Sequence, residues 1–198
     1  MSRVGKGTTV PSVQPRKGTA APPSSHTRAA TLLRHLGADS LPHPGGTLYA
    51  HLDRVHLRLA RWQARPALQL AGFCHALYGT DGFAKTLLPL DRRGAIAAAI
   101  GAEAEALVYL YASCDRGATY PGLPEGPFHD RFTGVVRVLP SSRLRDFAEL
   151  TAANELDIAT QDEDFRARYG RELLALFTRM RPLLGEGAWG DCRAVLRG

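Results

Sequence analysis

Leu48, Leu52, Val55, Leu59 and Trp62 recur at steps of three and four residues, the spacing that puts side chains on one face of an α-helix. Thr47, just before this stripe, is a residue type that accepts a hydrogen bond from a first helical turn, so a helix is predicted to open there. Pro66 predicts the start of the next helix, since a helix leaves its first N–H groups unbonded anyway. Leu68, Ala71, Gly72 and His75 share that helix's inward face. The link 63–65 is short, so these two helices are expected to pack antiparallel. Upstream, Thr27 to Leu36 reads as a short amphipathic helix closed by Gly37, and the stretch from Leu41 to Gly46 reads as a loop. Downstream, Gly79-Thr80-Asp81-Gly82 breaks the chain. Helices are then predicted over about 91–100, 102–114, 141–157 and 162–183, with a shorter one around Trp189. Residues 117–127 form a Gly/Pro loop, and Arg131 to Leu139 is the one β-like run, a small hairpin or an irregular edge. The pattern predicts a mainly α protein: a helical bundle with a short irregular or β-like insertion.

Composition sets the limits. Of 198 residues 44% are hydrophobic, enough for a core, but residues 1–25 carry almost no large apolar side chains. Such a segment buries too little surface to offset its ordering entropy, so a disordered tail over 1–25 and one helical domain over 26–198 are expected. No apolar run approaches the roughly 18 residues that span a bilayer, so no membrane partner is expected. The N-terminus has no apolar stretch of the secretory type, and Cys74, Cys114 and Cys192 form no paired framework. They read as reduced thiols in a cytoplasmic protein. The net charge of +6 raises nucleic acid as a partner, but Arg3, Lys6, Arg16, Lys17 and Arg28 carry much of that excess in or beside the tail. No nucleic-acid partner is therefore expected. Gly5-Lys6-Gly7-Thr8-Thr9 lacks the spacing of a phosphate-binding loop, and the chain has neither a Gly-x-Ser-x-Gly elbow nor an HExxH motif.

Two histidines remain. His51 lies three residues after Leu48 and four before Val55, at the border of the buried stripe, and His75 lies on the inward face of the next helix. Antiparallel packing lets both imidazoles face one cavity, where a buried ring needs a hydrogen bond or a metal. Either alone reads as a satisfied core histidine; together they read as a pocket. Tyr78 and Thr80, just beyond His75, are candidates to line it. Cys74 beside His75 is a poor nucleophile, because adjacent helical residues diverge by about 100°.

The segment HLDRVHLRLARWQARPALQLAGFCHALYGT, residues 51–80, resembles the opening of an HD-domain protein, with His51 as the first histidine and His75 as the second. More narrowly, HPGGTLYAHL, AGFCHALYGTDGF and the following Gly-Ala-Glu-Ala-Glu helix resemble an uncharacterised bacterial family related to HD domains, in which the motif's pair typically reads His-Ser. The resemblance spans roughly residues 41–160. It implies an HD-like helical fold and a metal-dependent enzyme acting on a small molecule. Two departures matter. Ala76 stands where the HD pair has its metal-bridging aspartate, and Asn154 stands where a later acidic ligand is expected. A two-metal phosphohydrolase needs those carboxylates. What remains implied is one divalent metal, iron first and zinc or manganese next, held by His51, His75 and one of His43, Asp115 or Asp157. Catalysis is then assigned to His51, His75 and Tyr78, by oxidation at the metal or by histidine acid–base work. Substrate contacts are assigned to His43, Thr80 and Arg116, and the metal to His51, His75 and Asp115. Glu103 and Glu105 are expected to face solvent. The alternative is a non-catalytic small-molecule-binding or interaction protein with a degenerate metal site. Oligomeric state is left open.

Overall fold

A computed structural model describes residues 23–83 and 85–197. The segment expected to be disordered lies outside the described residues as far as residue 22; at its end, Ser24 and Ser25 belong to the first helix. The α-helices are α1 (Ser25–His35), α2 (Leu48–Arg61), α3 (Pro66–Cys74), α4 (Arg93–Ile100), α5 (Ala102–Ala112), α6 (Arg116–Thr119), α7 (Ser141–Gln161), α8 (Glu163–Arg179) and α9 (Glu186–Leu196). The mainly α fold is as the apolar pattern predicts.

Caps set the helix boundaries. Ser24 accepts from the Thr27 N–H at 3.1 Å, so α1 starts two residues before Thr27. Thr47 accepts from the Ala50 N–H at 3.2 Å, opening α2 where expected. The side chain of Asp162 accepts from the Phe165 N–H, which separates α7 from α8 after Gln161 rather than near 157.

Two short antiparallel hairpins complete the described chain. Strands β1 (Pro42–His43) and β2 (Gly46–Thr47) pair across the stretch read as a loop. Strands β3 (Phe128–His129) and β4 (Val136–Arg137) form the β-like insertion, beginning three residues earlier than the run from Arg131. In the first hairpin Gly45 has φ +75°, and a Cβ there would lie 2.6 Å from Gln161 Cγ, so both backbone conformation and space demand glycine.

Helix α7 is the centre of the bundle. Twelve of its residues are buried, among them Ala148, Ala152, Ala153 and Ala159, whose small side chains admit α2, α3 and α5 along its length. Leu48, Leu52, Val55 and Leu59 are each at most 1% exposed, so the predicted stripe is the buried face of α2. Helix α3 packs against α2 so closely that a Cβ on Gly72 would sit 2.4 Å from Leu59 Cδ1. Helix α1 covers α3 and α4, while α8 and α9 pack on α7 and on each other.

Candidate functional site

Helix α2 contributes His51 from the edge of its buried stripe, and α3 contributes His75 as the residue that caps its C-terminus. Both are at most 2% exposed. Their Nε2 atoms lie 3.4 Å apart, with the ring planes at 81°. The two rings thus meet as the stripe and link predicted.

The outer nitrogen of each ring is engaged elsewhere. His51 Nδ1 donates to Asp157 Oδ2 at 2.7 Å, and His75 Nδ1 donates to the Gly72 carbonyl at 2.8 Å. That arrangement fixes the tautomer of a neutral ring and turns the Nε2 lone pair inward. Burial, and secondly His51, push the His75 imidazole down to about 3, so it is neutral at ordinary pH. Asn154 adds a third acceptor: its Oδ1 lies 3.1 Å from His51 Nε2, while its Nδ2 donates to Glu155 Oε1 at 3.0 Å and so sets the amide's orientation. His75 Nε2 and Asn154 Oδ1 thus both lie within 3.4 Å of His51 Nε2, an arrangement that a proton or a cation between them would stabilise.

Asp157 reaches His51 from the side away from this point. Burial raises its carboxyl pKa, but the hydrogen bonds from His51 and Arg54 outweigh that and hold it below the ordinary carboxylate value. Arg54 binds it twice, Nε to Oδ1 at 2.8 Å and Nη2 to Oδ2 at 2.9 Å, and also reaches the Pro44 and Gly45 carbonyls at 3.0 and 3.2 Å. One arginine thereby ties the β1–β2 turn to the histidine-orienting acid.

A cavity of about 280 Å³ opens over the pair, lined by His43, His51, His75, Thr80, Asn154 and Arg116 among others. The expected substrate contacts His43, Thr80 and Arg116 are thus all on its wall. His43 stacks on the His51 face with ring centroids 4.0 Å apart, and its buried Nδ1 makes no hydrogen bond of good geometry. Burial, and then His51, push its imidazole down to about 4. Arg116 donates from Nη1 to Glu155 Oε1 at 2.8 Å and from Nη2 to the Tyr111 hydroxyl at 3.0 Å.

Three expectations need correction. Asp115 is not beside the histidines: its Oδ1 accepts from the Ala118 N–H at 2.9 Å and caps α6, the commoner use of an acid at a helix start. Tyr78 is buried but turns toward α5, where its hydroxyl donates to Glu105 Oε1 at 3.1 Å, and it does not line the cavity. Glu105, expected to face solvent, is 5% exposed and is held there by Arg93, Nε to Oε1 at 2.6 Å. Tyr111 is the aromatic that meets His75, edge to face at 5.3 Å. Cys74 is fully buried, and burial alone pushes its thiol up to about 12, so it is no nucleophile.

Sequence reading missed Arg54, Glu155 and Tyr111. The first was accessible in principle, since Arg54 lies three residues after His51 on the same helical face. From sequence, Asn154 reads only as a lost acid.

Among the described residues no group of three His, Cys, Asp or Glu side chains is placed to hold a metal. Two imidazoles with an amide oxygen are a different donor set, and their spacing suits one ion. Zinc-type bonds of 2.0–2.1 Å at a tetrahedral angle put two nitrogens roughly 3.3–3.4 Å apart. The set does not suit two ions, because Ala76 and Asn154 supply no bridging carboxylate.

A family model described as a domain of unknown function (DUF6817) matches residues 32–116. The match takes in His43, His51, His75, Thr80 and Arg116 and stops before α7, which brings Asn154, Glu155 and Asp157. No curated protein and no solved structure matches the chain.

Proposed function

We propose that this chain is a small-molecule enzyme on an HD-like helical frame, with one divalent metal, iron first, held between His51 and His75. The observation that carries the reading is the approach of the two imidazole Nε2 atoms to 3.4 Å, with Asn154 Oδ1 3.1 Å from that of His51. A bound ion supplies Lewis-acid polarisation and, if it is iron, redox chemistry. The chain's own residues do the rest. Asp157 and the Gly72 carbonyl hold the two Nδ1 protons, keeping both Nε2 atoms available and the rings fixed. His43, Thr80 and Arg116 border the space a substrate would occupy. The missing second carboxylate site argues against phosphohydrolysis. Cytoplasmic residence is part of the proposal, supported by three free, buried cysteines.

Metal content of the purified full-length protein, and its capacity to take up iron, zinc or manganese after chelation, test the reading directly. Close to one equivalent is expected in the wild type, and a large loss in His51→Ala and in His75→Ala. Failure of the chelated wild type to bind any of the three ions would overturn it.

A second reading rests on the 2.7 Å contact of His51 Nδ1 with Asp157. A carboxylate behind an imidazole stabilises a proton at Nε2, so His51 could act as general acid or base without an ion. Under that reading activity survives chelation and falls in Asp157→Asn.

A further inference from the structure

Beside the histidine chamber lies a second, more open cavity of about 770 Å³, between α8 and the turn at Tyr120-Pro121. The two share three wall residues, Arg116, Glu155 and Phe165, so they abut along one partition. The larger one is lined chiefly by apolar and aromatic side chains: Tyr120, Pro121, Phe165, Tyr169, Leu173 and Leu176. Its volume lies within the range of small-molecule sites.

Charge decides what kind of molecule fits. The ionised groups in the partition are paired with each other, Arg116 with Glu155 at 2.8 Å. The remaining charges on the outer cavity, Glu172 and Arg179, are exposed at the rim and opposite in sign. An entering carboxylate or phosphate would find no free counter-charge inside and would lose its hydration without compensation. An uncharged chain or ring meets apolar walls and gains by burial.

We propose that the outer cavity binds the body of an uncharged, elongated, largely apolar molecule whose single polar end passes the Arg116–Glu155 pair into the histidine chamber. This deepens the reading of that chamber as the reactive site and rests on it for the direction in which the molecule lies. Nucleotides and other phosphorylated compounds are the wrong class for these walls.

Calorimetric titration of the full-length protein with 1-butanol, 1-hexanol and 1-octanol, beside octanoate and octyl phosphate, tests it. Affinity for the alcohols is expected to rise about fourfold per added methylene, as burial of a CH₂ group requires. Octanoate and octyl phosphate should bind at least tenfold more weakly than octanol. Leu173→Trp, which fills the outer cavity, should lose octanol binding at least tenfold. Leu173→Ala, a milder change at a half-buried position, should weaken it severalfold and keeps the test decisive if the tryptophan variant does not fold. A flat response to chain length, equal or tighter binding of the charged compounds, or no effect of either Leu173 variant would overturn the proposal. Alcohol binding with no metal uptake would remove only the reading of the histidine chamber; metal uptake without alcohol binding would remove only this one.

Discussion

His75 shows how much one buried ring can decide. Its Nδ1 is committed to the Gly72 carbonyl and its pKa is driven down to about 3, chiefly by burial. In the metal-free protein this makes stability depend on pH in a defined direction. Below about pH 6.5 the unfolded chain takes up a proton that folded His75 refuses. Its contribution is therefore complete above pH 6.5 and is lost as pH falls toward 3, about 2 kcal/mol by pH 5. His43, pushed down to about 4, acts in the same sense, with a smaller effect because solvent reaches it. Urea unfolding of chelated protein at pH 7 and pH 5 should show this fall, and His75→Gln should show a shallower one; equal slopes would exclude His75 as the cause. Asp157 works in the opposite charge state, ionised between His51 and Arg54. Asp157→Ala should cost about 2–4 kcal/mol by the same assay, since it leaves His51 Nδ1 without its acceptor and Arg54 without its counter-charge.

Among the elements, the contact of α2 with α3 determines whether the two histidines meet. Gly72 permits it: with a Cβ only 2.4 Å from Leu59 Cδ1, and Leu59 fully buried, Gly72→Ala must force the helices apart. A loss of about 1–3 kcal/mol is expected, typical of overpacking. The same change shifts the carbonyl that orients His75, so metal uptake should weaken as well. Gly190→Ala in α9 provides the contrast. Nothing lies within 4 Å of its added methyl, so it should stabilise the protein by about 0.5–1 kcal/mol through helix propensity alone. Thermal unfolding of the two variants should move in opposite directions.

For the whole molecule, charge and the position of α7 matter most. Residues 1–22 hold four of the 25 basic side chains and none of the 19 acidic ones, so most of the +6 excess belongs to that segment. Outside it, 21 basic side chains stand against 19 acidic ones, and buried acids hold four of the arginines: Arg54 with Asp157, Arg65 with Asp146, Arg93 with Glu105, Arg116 with Glu155. A chain begun at residue 23 should therefore show no retention on DNA at about 0.15 M salt. Salt-sensitive binding by that chain would show a basic face that the pairing conceals. Among the described residues, no helix is long and apolar enough to cross a membrane.

What the sequence determined by itself was local. The stripe from Leu48 to Leu59, the Thr47 cap, Pro66 at a helix start and the short link 63–65 are period and capping signals. Together they sufficed to predict a helical protein and to bring the His51 and His75 rings together. The β1–β2 hairpin escaped because two-residue strands carry no alternation to read. Tertiary structure decided which polar residues complete the site. Asp157, Asn154 and Glu155 lie about a hundred positions from His51, and only the packing of α7 against α2 determines that Asp157 meets Nδ1 while Asn154 meets Nε2. The packing of α3 against α5 sends Tyr78 to Glu105, while Asp115 is used locally as a helix cap. Periodicity tells which face of a helix a residue occupies, but the choice of partner across a core depends on how whole helices pack.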